Sequence, residues 1–227
     1  QMNKTTSEEK EVSPEAALEA PMAPGDAGEL PPPLDVLELE VGYGLIPLVD
    51  EAQNGDLLPR IRAIRQQLAT ELGMIVPPLH VRDNLQLKPS EYRLLLKGNV
   101  VGKGELMLGH YLALSPGDTQ KEIKGIPTKD PTFGLPAVWI SEKDYEANVR
   151  AGHTVIDHST VVATHLTELF KKHADELLSR QTTQRLLDNL METSPKLVEE
   201  LVPGVLSVGM VQKVLQNLIS ERVSIRD

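Results

Sequence analysis

Asp157, His158 and Ser159 stand side by side in "IDHST", the three residue types of a hydrolytic triad. Neighbours in sequence point apart, whereas such a triad converges from distant segments, so their order carries no nucleophilic chemistry. The six histidines contain no H-E-x-x-H. His165 and His173 are spaced to share roughly one helix face, but no carboxylate at ligand spacing completes a metal site. "GKGELMLG", Gly102 to Gly109, lacks the spacing of the dinucleotide fingerprint, and no G-x-x-x-x-G-K-[ST] occurs. Gly102 and Gly104 read instead as a bulge or twist in a hairpin strand. Zero cysteines exclude thiolate nucleophiles, disulfides and thiolate metal sites, which fits a cytosolic protein. Arg60, Arg62 and Arg65 make a basic helix face that reads as solvated. No catalytic constellation remains, so neither enzyme activity, cofactor nor metal is expected.

What is left is a surface argument. In "TKDPTFGLPAVWIS", residues 128–141, Pro131 and Gly134 shape a loop and Phe133 sits at its tip beside Asp130. With two phenylalanines and one tryptophan in 227 residues, each aromatic carries information. Phe133 either anchors the core or lines a pocket, and the pattern leaves both open. Trp139, inside "AVWI", reads as core.

The composition is 40% apolar and 25% charged with 3% aromatics, that of a soluble globular protein whose core is aliphatic. No apolar run reaches the roughly 20 residues that span a bilayer, and the start has no signal-peptide core. The net charge of -10 opposes binding to phosphate backbones, so protein partners are expected and nucleic acid is not. Residues 1–35 carry eight acids against two lysines, six prolines and no aromatic. This segment reads as a flexible linker, with a nascent helix at "SPEAALEA" that Ser13 caps and Pro14 opens.

Leu37, Leu39 and Val41 alternate with glutamates, the pattern of a half-buried strand. Leu57, Ile61, Ile64, Leu68 and Leu72 then mark an amphipathic helix, with Asp56 as its cap and Gly73 as its stop. "LHVRD", "EYRLLLKG" and "VVGKGELML" read as strands, with "GN" turning between the last two. After a turn-rich stretch from Ser115 to Gly134, "AVWI" reads as a strand, Ser141 to Gly152 as a helix and "TVI" as a strand. "STVVATHLTELFKKHADELL" reads as one long helix with a stripe through Val162, Leu166, Leu169, Phe170 and Leu177. Three short helices follow: "TQRLLDNLME", "SPKLVEELV" and "SVGMVQKVLQNLI". The last is expected to bury Val211, Val214, Leu215, Leu218 and Ile219. Ser224 to Asp227 match a helix-opening cap with no helix body after it, which predicts a fragment lacking its carboxyl portion.

Together "GYGLIPLVD", "RIRAIRQQLATELG", "VRDN", "YRLLLKG", "DPTFGLPAVWI", "STVVATHL" and "LVPGVLSVGMVQKVLQNLISERVSIRD" resemble the cytoplasmic region of the FlhA (FHIPEP) family, the export-gate proteins of flagellar type III secretion. The resemblance runs from about Leu37 to Asp227. It implies a mixed α+β, multi-subdomain fold. A flexible linker covers 1–35, a discontinuous α/β first subdomain covers 36–108 plus 158–177, and a small α+β subdomain is inserted at 109–157. An incomplete helical third subdomain covers 178–227, and a fourth is absent.

The same resemblance implies a multi-pass membrane half, absent from this sequence, and a place on the cytoplasmic face of the bacterial inner membrane. Family members form nonameric rings and dock chaperone-substrate complexes, ordering flagellar export, and they meet other export components such as the ATPase complex and the substrate-specificity switch protein. A dimple between the first two subdomains receives the chaperone, and its residues correspond to Asp130, Phe133 and Thr164, with Asp130 offering an acceptor at the rim. A gate of the homologous virulence secretion systems is the alternative. Two rivals remain: a nucleotide-binding domain using Gly102 to Gly109, and a chain that chiefly builds the ring.

Overall fold

The alternation of Leu and Glu that marks the first strand sends its two sets of side chains to opposite faces of a sheet, and this division organises the molecule. The computed structural model describes residues 35–115 and 122–226. Residues 1–34 of the linker expected at 1–35, with its nascent helix, lie outside the described residues.

Strand β1 (Leu37–Val41) is the hub of a four-stranded sheet ordered β2-β1-β3-β4. It runs parallel to β2 (Leu79–Asp83) and antiparallel to β3 (Glu91–Leu96), which pairs with β4 (Asn99–Glu105). After β1 comes the short helix α1 (Ile46–Val49), and α2 (Leu57–Leu72) makes the crossover to β2. Register places Leu37 beside Leu96, Leu39 beside Leu94 and Val41 beside Tyr92, so these six share one face. That face is buried under Leu57, Ile61 and Leu68 of α2 and under Val162, Leu166, Leu169 and Phe170 of the later helix α4 (His158–Lys172).

The opposite face is polar but tied. Arg82 pairs with both Glu38 and Glu40, and the Asn84 side-chain amide donates to Glu40 at 2.9 Å. Burial alone would push the Glu40 carboxyl up, but hydrogen bonds from Arg82 and Asn84 hold it below the usual carboxylate range.

A second antiparallel sheet, ordered β6-β7-β5-β8, uses β5 (His110–Leu114), β6 (Ile126–Lys129), β7 (Pro136–Ser141) and β8 (Thr154–Ile156), with helix α3 (Tyr145–Arg150) between β7 and β8. The two sheets share a core: Leu112, Ala137 and Trp139 join the cluster that holds Leu39, Tyr92 and Phe170. The short helix α5 (Ala174–Leu177) leads into α6 (Arg180–Thr193), α7 (Pro195–Leu201) and α8 (Val208–Ser220), whose small core is Leu187, Val198 and Val211.

The expected elements form, with local corrections. Gly73 ends α2 at φ 78° as anticipated, but Asp56 does not cap it; its carboxylate is taken by Arg60 at 2.6 Å. The hairpin turn is Lys97-Gly98 rather than Gly98-Asn99, because both turn residues take positive φ (50° and 80°) and Leu96 pairs with Asn99. Strands β5 and β6 are additions to the sequence reading; Pro127 is tolerated because β6 lies at the sheet edge.

The single long helix breaks at His173, which leaves helical geometry and pairs with Glu176 at 2.7 Å. The rotated next turn brings Ala174, Leu177 and Leu178 into the core. On α8, Gln212 and Gln216 donate to the Leu178 carbonyl at 2.9 and 3.1 Å. These contacts turn Val214 and Leu218 outward, contrary to their expected burial. At the chain's last described residues no helix forms; Ile225 donates to the Leu72 carbonyl at 2.8 Å and packs on the core.

Candidate docking site

The loop from Asp130 to Leu135 is built by its first residue. Asp130 ends the β6–β7 pairing by donating its N–H to the Leu135 carbonyl at 2.8 Å. Its own carbonyl accepts from Gly134 N–H at 2.9 Å, and its Oδ2 accepts from Phe133 N–H at 2.7 Å. Gly134 takes φ 69°, the left-handed region that glycine enters without a side-chain clash. Three hydrogen bonds on one residue thus hold the loop while Phe133 stays 63% exposed and Leu135 53% exposed.

Asp130 itself is only 5% exposed. This corrects the expectation that it offers an acceptor at the rim: a short aspartate side chain folded back onto its own loop serves the backbone N–H three residues on. Thr164 lies exposed on α4, flanked by the buried residues Ala163 and His165. Among the described residues no hydrogen bond joins Thr164 to the loop. Next to Thr164 in the chain, His165 has its Nδ1 2.9 Å from Tyr92 Oη, and the negative charge of Asp130 is felt at both groups. Burial pushes the Tyr92 phenol far up and the His165 imidazole down, so both are neutral near pH 7.

The remaining chemical candidates find structural duties. Asp157 caps α4 by accepting from Thr160 N–H at 2.7 Å, His158 Nε2 lies 2.7 Å from the Met107 carbonyl, and buried Ser159 hydrogen-bonds Asp56. Arg60 bridges Asp56 and Asp157, Arg62 pairs with Glu51, and Arg65 donates to the Val76 carbonyl, so the basic face is paired rather than merely solvated. A Cβ on Gly102 would collide with Leu169, and one on Gly104 would come within 2.5 Å of the Tyr92 ring. These glycines admit buried side chains, and the bulge beside them falls where Leu94 and Leu95 shift register. A cleft of about 460 Å³ at the start of α4, lined by Asp56, His110, Tyr111, Asp157 and His158, stands apart from the loop. Among the described residues no group of three or more His, Asp or Glu is arranged to hold a metal ion.

The sequence reading passed over Leu135 and Tyr92 and weighed His165 only as a metal ligand. Leu135 was visible as an apolar residue between Gly134 and Pro136. Tyr92 and His165 carried no local signal, since their pairing spans 73 residues.

The family model for FHIPEP matches residues 1–227. The chain belongs to the FHIPEP family. The flagellar biosynthesis protein FlhA of Bacillus subtilis is 55% identical over 194 residues, covering 86% of this chain and 29% of that protein. FlhA of Escherichia coli K12 is 49% identical over 193 residues, covering 85% of this chain and 28% of its own length. The chain therefore spans under a third of these curated FHIPEP relatives. Among solved structures, the Chlamydia pneumoniae CdsV protein superposes with a TM-score of 0.74 at 24% identity, covering 89% of this chain and 59% of that one. The nonameric SctV-C of EPEC gives 0.62 at 20% identity, covering 88% and 58%. At these identities the likeness shows the shared fold, a mixed α+β arrangement found in type III export-gate cytoplasmic domains. No helix among the described residues is long and apolar enough to cross a membrane.

Proposed function

We propose that this chain is the docking part of a flagellar export gate's cytoplasmic region, receiving chaperones that carry filament-type substrates. The observation that supports it most is a large apolar ring held in solvent by a locked loop: Phe133 is 63% exposed although Asp130 ties the loop with three hydrogen bonds, one of them from the Phe133 N–H. A preorganised aromatic loses little freedom on binding, which suits an interface hot spot. Leu135 widens the apolar surface, and in this reading Thr164 supplies an exposed hydroxyl on helix α4. The role is one of binding, without catalysis.

In this reading 36–108 with 158–177 is the first subdomain, 109–157 the insertion, 178–227 part of a helical third, and 1–35 a linker to a membrane half. Export ATPase and specificity-switch components meet the complete protein at the cytoplasmic face of the inner membrane. The EPEC relative is a nonamer, and the complete protein is proposed to form a ring of the same kind.

Burying one ring contributes about 1.5 to 3 kcal/mol, or roughly ten- to hundredfold in affinity, which leaves successive chaperones able to exchange. Calorimetric titration of a purified flagellar chaperone–filament-type substrate complex into wild type and Phe133→Ala tests the site. A loss of that size with an unchanged melting temperature is expected; equal affinities would remove Phe133 from the interface.

A further inference from the structure

His153 is 5% exposed, yet its Nδ1 is buried with no hydrogen-bond partner among the described residues. A polar atom in that state is unfavourable in the free protein, so its position calls for a reason. The ring forms one wall of a cleft of about 260 Å³ beside α3, whose other walls are Glu122, Lys124, Asp144, Ala147, Asn148 and Ala151.

A run of hydrogen bonds orders these walls. The chain turns after α3 at Gly152, φ 87°, and the His153 N–H returns to the Asn148 carbonyl at 3.1 Å. The Asn148 side-chain amide donates to the Asp144 carbonyl at 2.9 Å, and the Asp144 carboxylate accepts from the Ser141 hydroxyl at 2.7 Å. Among the described residues neither Glu122 nor Asp144 is in an ion pair, so both carboxylates keep their charge available.

We infer that this cleft binds a basic side chain of a partner protein: His153 Nδ1 accepts an N–H, Glu122 and Asp144 balance the charge, and Ala147 and Ala151 receive the aliphatic stem. The lining selects the cation. Two carboxylates face a single ammonium, Lys124, and a neutral imidazole offers the lone pair that an ammonium or guanidinium donor takes. An anion would meet both carboxylates, and an apolar group would leave Nδ1 unpaired. A metal ion is a poorer match, since no three His, Asp or Glu among the described residues are arranged to hold one. No residue of the Phe133 loop takes part, so the site is independent of the docking role proposed above.

The probes are N-acetyl-arginine amide and N-acetyl-lysine amide, titrated into isotope-labelled protein, with N-acetyl-citrulline amide as the uncharged control. At least one cationic amide is expected to shift the His153 ring resonances and the Asn148 amide, and the control is expected to leave them in place. His153→Phe keeps a ring and removes the acceptor; it should weaken binding about fivefold or more. Because it also removes an unpaired buried atom, its melting temperature should equal or exceed that of wild type, whereas a histidine with a purely structural duty would lose stability on replacement. Glu122→Gln, an isosteric change at an exposed position, should weaken binding by about two- to fivefold and decides the matter if His153→Phe does not fold.

A silent His153 ring with both cationic amides overturns the inference, as does an equal shift with the citrulline amide. Wild-type affinity in folded His153→Phe, or in Glu122→Gln should His153→Phe not fold, overturns it too.

Discussion

Trp139 and Phe133 lie six residues apart on one hairpin and meet opposite fates. Trp139 is 5% exposed, wedged by β7 against the start of α4 with its ring 5.8 Å from that of His158. Phe133 is 63% exposed at the loop tip. Strand alternation dictates the first outcome, since Ala137 and Trp139 fall on the face that joins the common core. The second is dictated by hydrogen bonds: the loop buries its aspartate and thereby turns its phenylalanine out. At the loop between Asp130 and Phe133 the apolar side chain is surface and the charged one is interior, the reverse of the usual preference.

The contrast can be broken first at the tryptophan. Trp139→Ala should cost about 3 to 5 kcal/mol of stability, measured by denaturant titration, because the ring fills the junction of two sheets and a helix. Gly104→Ala comes next, at about 1 to 3 kcal/mol, since the new methyl meets the Tyr92 ring and no flexible end can give way. Asp130→Ala should cost about 1 to 3 kcal/mol by orphaning the Phe133 N–H, and should also weaken docking. Phe133→Ala should change stability by less than about 0.5 kcal/mol while weakening docking as stated above.

The smallest effect concerns pH. Burial lowers the pKa of His165 below its ordinary 6.5, so just below that pH the unfolded chain binds a proton that the folded chain does not. Stability from this group is complete above 6.5 and declines as pH falls, until the folded ring itself protonates. Denaturation midpoints at pH 7.5 and 5.5 should therefore separate more in wild type than in His165→Gln.

Much of this was legible in the sequence. Period-two and helical patterns located β1, α2, β7 and the α4 stripe, and they assigned Trp139 and Phe170 to the core. Motif resemblance, rather than periodicity, pointed to Phe133. Two kinds of feature were out of reach. Strand β6 contains a proline and no alternation, and only the edge of a sheet makes that acceptable. The burial of Asp130 depends on where the loop folds its carboxylate, and the Tyr92–His165 pair depends on packing between segments far apart in sequence. On α8 the apolar spacing predicted burial of Val214 and Leu218, but two glutamines won that face by reaching the Leu178 carbonyl. Met210, Val214 and Leu218 are therefore left exposed on that helix.

The most direct test is to map the contact itself. A purified chaperone–substrate complex is added to isotope-labelled protein and the perturbed backbone amides are read. The account predicts that residues 130–135 and those around Thr164 shift first and furthest, while Met210, Val214 and Leu218 on α8 stay in place. Shifts concentrated on α8, with the loop silent, would contradict it.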